Sequence, residues 1–157
     1  MPKITPFLWF DHQAEEAARF YTSIFRNSKM GAVTRYGENM PGKAGSVLTV
    51  TFEIEGVEYT ALNGGPGHTF TDAISFVVHC ESQAEVDDYW AKLTANGGKE
   101  VACGWLKDRY GLSWQIIPTL LLELITDPDK AKAQRVTQAM LKMVKIDIPT
   151  LEAAARG

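Results

Sequence analysis

The chain is short of the residues that announce most chemistries. Its 157 residues include two cysteines and three histidines. Cys80 and Cys103 fit no metal-binding spacing and read as thiols of a reducing compartment. His12, His68 and His79 lie far apart, and none stands near another His, Cys or Glu at ligand spacing. His79 and Cys80 are adjacent, so on a strand they point to opposite faces. All three histidines are read as structural or solvated. Clustered positive charge is also missing. The net charge is −3 and the pI about 5.6, which argues against broad phosphate-backbone binding, so no nucleic-acid partner is expected. No apolar run approaches the roughly 20 residues of a membrane helix, and no membrane partner is expected. The first residues, Met1-Pro2-Lys3-Ile4, lack the apolar core of a signal peptide, so a cytoplasmic location is expected. Asn63-Gly64-Gly65-Pro66-Gly67 lacks the Lys-Ser/Thr of a phosphate loop. Cys103 has no evident base beside it, and Ser75 lacks a nucleophile-elbow context.

Bulky strand-forming residues are plentiful, and they concentrate in Cys103 to Pro118, which holds two of the four tryptophans. Trp105-Leu106 and Leu112 to Pro118 flank a polar turn, Lys107 to Gly111, and so predict a β-hairpin. Upstream, Ile4 to Phe10 reads as a strand and Asp11 as a helix N-cap. Ala14 to Phe25 carries Ala17, Phe20, Tyr21, Ile24 and Phe25 on one helical face. Met30 to Tyr36, Ser46 to Ile54 and Val57 to Leu62 read as strands, with a Gly/Pro-rich loop at Gly37 to Gly45. Ala73 to Cys80 is a further strand. Ser82 and Glu85 form a capping-box pattern for a helix to about Ala95, ended by Asn96-Gly97-Gly98, and Lys99 to Cys103 is a short strand. After Pro118 the pattern changes. Thr119 to Thr126 is apolar, Ala131 to Val144 is helical behind Asp127-Pro128-Asp129, and Thr150 to Ala155 adds a last turn or two.

Strand, helix and three strands thus occur twice, in residues 4–62 and 73–118. Phe20-Tyr21 aligns with Tyr89-Trp90, and Gly56 with Gly111. The expected architecture is α+β, a single domain over residues 1–157. Two paired βαβββ modules form a curved half-barrel sheet with helices outside, and a helical tail spans residues 119–157. The concave side would be a pocket.

Several segments resemble one family. They are Phe20-Tyr21 with Phe25-Arg26-Asn27-Ser28, Leu62-Asn63-Gly64-Gly65-Pro66, and Ala73-Ile74-Ser75-Phe76 with Gln83. Cys103-Gly104-Trp105-Leu106-Lys107-Asp108 and Tyr110-Gly111-Leu112-Ser113-Trp114-Gln115 follow, then Ala139-Met140-Leu141-Lys142-Met143 and Lys145-Ile146-Asp147-Ile148 in the tail. Over nearly the whole chain they resemble the PhnB-like family, often labelled 3-demethylubiquinone-9 3-methyltransferase. That family sits within the vicinal-oxygen-chelate superfamily of glyoxalase I, bleomycin-resistance proteins and extradiol dioxygenases. The resemblance implies the duplicated fold and a homodimer. It also implies that metal-using relatives place one His, Glu or Gln ligand on the first and last strand of each repeat. Counting from the aligned helices and turns, those positions fall on Pro6, Ser75, Thr60 and Gln115. Of these, Gln115 has a ligand-type side chain, and the neighbours Leu8, Val77 and Leu62 supply no donor. No metal and no other cofactor are therefore expected. Methyl transfer is discounted because the glycines lie in hairpins and loops instead of opening a doubly wound sheet.

Alternation places Pro6, Leu8, Thr60, Leu62, Ser75, Val77, Gln115 and Ile117 on one side, with Trp105 able to stack on a flat ligand. The candidate ligand-binding residues are Leu8, Thr60, Leu62, Ser75, Val77, Trp105 and Gln115. A buried Gln115 needs a partner, in Ser75, Thr60 or a polar ligand. The expected function is metal-free binding of a small aromatic or amphipathic molecule, as in the drug-sequestering relatives. The alternative is a metal-dependent lyase, isomerase or dioxygenase.

Overall fold

The computed structural model describes residues 2–157. Two compact units divide the chain, one ending at Thr69 and the other beginning at Phe70. In the first, β1 (Phe7–Phe10), α1 (Ala14–Ile24), β2 (Ser28–Arg35), β3 (Val47–Ile54) and β4 (Val57–Asn63) build a sheet of order β1-β4-β3-β2. In the second, β5 (Ser75–Cys80), α2 (Gln83–Thr94), β6 (Lys99–Glu100), β7 (Trp105–Lys107) and β8 (Ser113–Pro118) repeat that topology as β5-β8-β7-β6. In each, the first strand runs parallel to the last and the other pairings are antiparallel. The α+β duplication read from the sequence is therefore present, with each copy one strand-helix-three-strand module.

Apolar spacing decides which face of each sheet the helix covers. Ala14, Ala17, Ala18, Tyr21 and Ile24 are buried on α1 and meet Leu8, Phe10, Val50, Phe52 and Ala61 of the sheet. Tyr21 stacks on Phe52, and Phe52 on Tyr59. In the second unit Val86, Trp90 and Leu93 play the same part on α2. The Trp90 indole nitrogen donates to the Glu100 carboxylate at 2.6 Å, giving the polar end of a buried ring its partner. Ser82 caps α2 by accepting from the Glu85 N–H at 3.2 Å, and the Glu85 carboxylate accepts from the N–H of Glu81. Asp11 does not cap α1, contrary to expectation. The N-cap is Gln13, and the Ala14 N–H donates instead to the Asn63 side chain at 2.8 Å. The strand end opposite β1 thus starts the helix.

The tail forms α3 (Thr119–Ile125), α4 (Lys130–Met140) and α5 (Ile148–Arg156). Its apolar stripe is covered within its own unit. Ile117, Leu121, Val136, Ile146 and Leu151 make one buried cluster. The chain between α4 and α5 is pinned by backbone bonds, Cys103 N–H to Met143 O and Gly104 N–H to Val144 O, both 2.8 Å. Gln83 clamps it from α2, donating to Ile146 O and accepting from Ile148 N–H. Lys145 pairs with Asp87 at 2.7 Å.

Three carboxylates of this unit titrate below the usual carboxylate range. Asp72 is held down by the Ser113 hydroxyl and then Lys107, Asp87 by Lys145 and then Gln83, and Asp127 by the Asp129 N–H and then Lys132. Groups depressed in the folded state add stability above the ordinary carboxylate pKa of about 4 and lose it as pH falls through the folded value. The second unit is expected to keep a flat melting temperature from neutral pH to about pH 5 and to weaken below about pH 4. Calorimetry across that range checks this, and a melting temperature that rises on acidification would refute it.

Both cysteines are free, as expected. Burial, reinforced by Glu85 and Glu81, pushes the Cys80 thiol up to about 12. Native protein at pH 8 should therefore leave Cys80 unmodified by an aromatic disulfide reagent until denaturant is added. Mass-spectrometric detection of labelled Cys80 in the native protein would contradict this.

Candidate functional site

The faces not covered by α1 and α2 are the ones open to a ligand, and pairing register fixes which side chains reach them. In the first sheet Phe7 pairs with Thr60 and Trp9 with Leu62, while Leu8 pairs with Ala61. Thr60 and Leu62 thus share the open face with Phe7 and Trp9, continuing to Thr51 and Thr49 on β3. Leu8 does not join them. It is 7% exposed and packs with Phe10 beneath α1. The sequence placed it on the open face by counting back from the aligned helices, but three residues (Asp11 to Gln13) link β1 to α1 whereas two (Glu81 and Ser82) link β5 to α2. The helices therefore align at an offset of 69, as in Tyr21 and Trp90, and the strands at 70, as in Phe10 and Cys80. A slip of one residue turns a strand over.

Phe7 takes the position assigned to Leu8, and Trp9, which sequence reasoning passed over, stands beside it on the open face, paired with Leu62. Trp9 is 37% exposed, its indole N–H donates to Gly65 O at 2.9 Å, and the His68 ring meets it edge-on. Gly64 lies against it so closely that a Cβ there would sit 2.4 Å from the ring, so the Asn63-to-His68 loop is shaped around this tryptophan. The all-apolar run Phe7-Leu8-Trp9-Phe10 carries no polar residue to mark its open side. The unequal linker was the available signal.

In the second sheet the rows are legible across three strands. Val77, Gln115 and Trp105 form one row, since Val77 pairs with Gln115 and Gln115 with Trp105. Ser75, Ser113, Lys107 and Lys99 form the row before it, and His79 and Ile117 the row after. Gln115 donates through Nε2 to the Ser75 hydroxyl at 2.9 Å, one of the partners expected for it. Its Oε1 accepts from no other described residue. Ser113 donates to Asp72 at 2.9 Å, and Lys107 pairs with the same carboxylate at 3.2 Å. Ile117 faces the same side but is closed over by the tail. The structure thus gathers Ser75, Val77, Trp105 and Gln115 on one face, and Thr60 and Leu62 on the corresponding face of the other unit.

The hairpin that carries Trp105 and Gln115 is organised by Asp108. This carboxylate is 2% exposed. Oδ1 accepts from the N–H groups of Tyr110 and Leu112, and Oδ2 accepts from the Trp114 indole at 2.9 Å. Gly111 completes the turn at φ +86°, a backbone state that suits glycine.

Neither row presents a divalent metal with a set of ligands. The row of Thr60 offers Phe7 and Thr51, and the row of Gln115 offers Val77 and Trp105, with no carboxylate or imidazole in either. Gln115 offers a single neutral amide oxygen, its Nε2 being bonded to Ser75. Among the described residues no three His, Cys, Asp or Glu side chains come together. Two concavities lie elsewhere. One of about 370 Å³ opens at the start of α1 beside Asp11, Glu15, Tyr36 and Asn63, and one of about 620 Å³ lies between α4 and α5. Among the described residues, no helix is long and apolar enough to cross a membrane.

Comparison with known proteins bears on the family and the fold. The family model described as 3-demethylubiquinone-9 3-methyltransferase matches residues 2–117. A Bacillus cereus PhnB protein described by the same name is 40% identical, covering 74% of this chain and 99% of its own, with a TM-score of 0.68. A Pseudomonas aeruginosa protein superposes with a TM-score of 0.61 at 19% identity, over 75% of this chain and 98% of that one. The fosfomycin resistance protein FosX of Listeria monocytogenes does so at 0.51 and 15%, over 75% and 93%. These two share the fold. No curated protein matches. The match ends at residue 117, so α3 to α5 lie beyond it, although the sequence resemblance was drawn through the tail as well. With its duplicated topology, the match over most of its length and its identity to the Bacillus cereus protein, the chain belongs to the PhnB-like 3-demethylubiquinone-9 3-methyltransferase family.

Proposed function

We propose that the protein binds a small aromatic or amphipathic molecule on the open face of its second sheet, without a resident metal. The observation that carries this reading is the row Val77–Gln115–Trp105. It presents a flat aromatic side chain beside an amide whose orientation is fixed by Ser75 and whose oxygen is left to accept. A fixed polar group among apolar neighbours is the usual composition of a small-molecule site. Thr60 and Leu62, with Phe7 and Trp9, give the first unit an aromatic-lined face of similar character. Methyl transfer is not carried over from the family name. The turn after β1 is Asp11-His12-Gln13, with no glycine to approach a cofactor. A homodimer is part of the same reading, supported by exposed Phe7, Ile74 and Val77. Light scattering at micromolar concentration tests it, and a monomer counts against it.

Screening aromatic compounds by thermal shift tests the binding. A ligand at 100 times its dissociation constant stabilises by about 2.7 kcal/mol, a rise of roughly 5–10 °C. Trp105→Leu and Gln115→Leu should abolish that rise while leaving the unliganded melting temperature within about 2 °C. A ligand whose shift survives both substitutions would place binding elsewhere. Stoichiometric Zn, Ni, Mn or Fe in protein purified without chelator would overturn the metal-free part.

A further inference from the structure

The row next to Trp105 and Gln115 carries surplus positive charge. Lys99 and Lys107 are directly paired across β6 and β7, so their side chains rise from the same face as Trp105. Like charges opposite one another on a sheet repel. Asp72 answers one of them, accepting from Lys107 and from the Ser113 hydroxyl. Lys99 is exposed and has no ion-pair partner among the described residues. No other carboxylate rises from this face of β5, β8 and β7, where the row positions are Lys107, Ser113, Ser75, Trp105, Gln115, Val77, Ile117 and His79. Rows two residues apart are separated by about 6.8 Å. A single aromatic ring with substituents at opposite ends spans that distance. At its far side the row of Gln115 is bounded by Ile117 beneath the tail, so a ligand on Trp105 extends towards the lysines.

We infer that the ligand class of this face is a hydroxy-substituted aromatic acid, with its carboxylate at Lys99 and Lys107, its ring against Trp105 and its hydroxyl donating to Gln115 Oε1. This rests on the binding reading above and adds charge and substitution to it. The carboxylate is received by the two lysines and the hydroxyl by Gln115. A neutral ring forgoes the lysines, and an ether in place of the hydroxyl leaves Gln115 without a donor.

Isothermal titration of the full chain with 4-hydroxybenzoate, its methyl ester, 4-methoxybenzoate and indole tests the inference. The acid is expected to bind about fivefold or more tighter than its ester, with that preference lost at high salt. It should also bind tighter than the methoxy acid. Lys99→Gln should weaken the acid and leave the ester unchanged. Asp72→Asn, which removes the competing internal carboxylate, should tighten the acid. An ester or indole that binds as well as or better than the acid would overturn the ligand class while leaving the binding reading intact. Failure of all four probes to bind would sink both.

Discussion

Replacing Asp108 by alanine is expected to lower the melting temperature of the second unit by about 10 °C, a loss of about 3 kcal/mol. The carboxylate is buried and accepts from two backbone N–H groups and the Trp114 indole, all close to the hairpin turn. Leu112 and Trp114 are themselves buried, so their donors cannot turn to water once the acceptor is gone. Each buried donor left unmet costs about 1–3 kcal/mol. Asp108→Asn separates charge from geometry. It keeps Oδ1 for Tyr110 and Leu112 but presents an amide N–H₂ to the Trp114 indole, a donor facing a donor, and should cost roughly half as much. Thermal unfolding followed by tryptophan fluorescence reads both. An alanine variant within about 2 °C of the parent would show that the turn does not depend on this carboxylate.

Ile146→Ala is expected to be of similar size, about 3 kcal/mol, because it removes a fully buried side chain from the centre of the tail cluster. The site cannot collapse readily. Ile146 touches the Gly104 turn and packs with Ile117, while Gln83 and the Met143 and Val144 carbonyls hold the backbone on either side. The effect should also be local. Limited proteolysis after Lys142 or Lys145 should speed up, because the chain between α4 and α5 would open without the whole molecule unfolding. Unchanged cleavage together with unchanged stability would mean that the tail does not depend on this cluster. The tail matters to the site through Ile117, which lies on the open face one row beyond Gln115 and is covered by it.

Much of this was readable in advance where local chemistry and global fold agree. The hairpin was marked by its polar turn, α2 by Ser82 and Glu85, and the repeat by Tyr21 against Trp90 and Gly56 against Gly111. Counting from those two glycines placed Thr60 and Gln115 correctly as equivalents, since the strands after the turns have equal length to those points. Counting from the helices failed for Leu8 because linker length is a property of one loop and leaves no mark on helical periodicity. Asp11 was misread for a related reason. The α1 N-terminus is capped from Asn63, 49 residues away, and a local pattern cannot report a partner brought in by the sheet. Lys99 and Lys107 were invisible as a pair until the antiparallel register of β6 and β7 set them side by side.

The account turns on the row Val77–Gln115–Trp105 as the place where a ligand sits. Nitrogen-edited NMR of the full chain, titrated with the tightest aromatic compound from the thermal-shift screen, tests this most directly. The account predicts saturable shifts of the Gln115 side-chain amide and the Trp105 indole N–H, with no requirement for added metal. Saturable shifts confined to residues around Asn63 and Tyr36, or appearing after a divalent metal is supplied and not before, would contradict it.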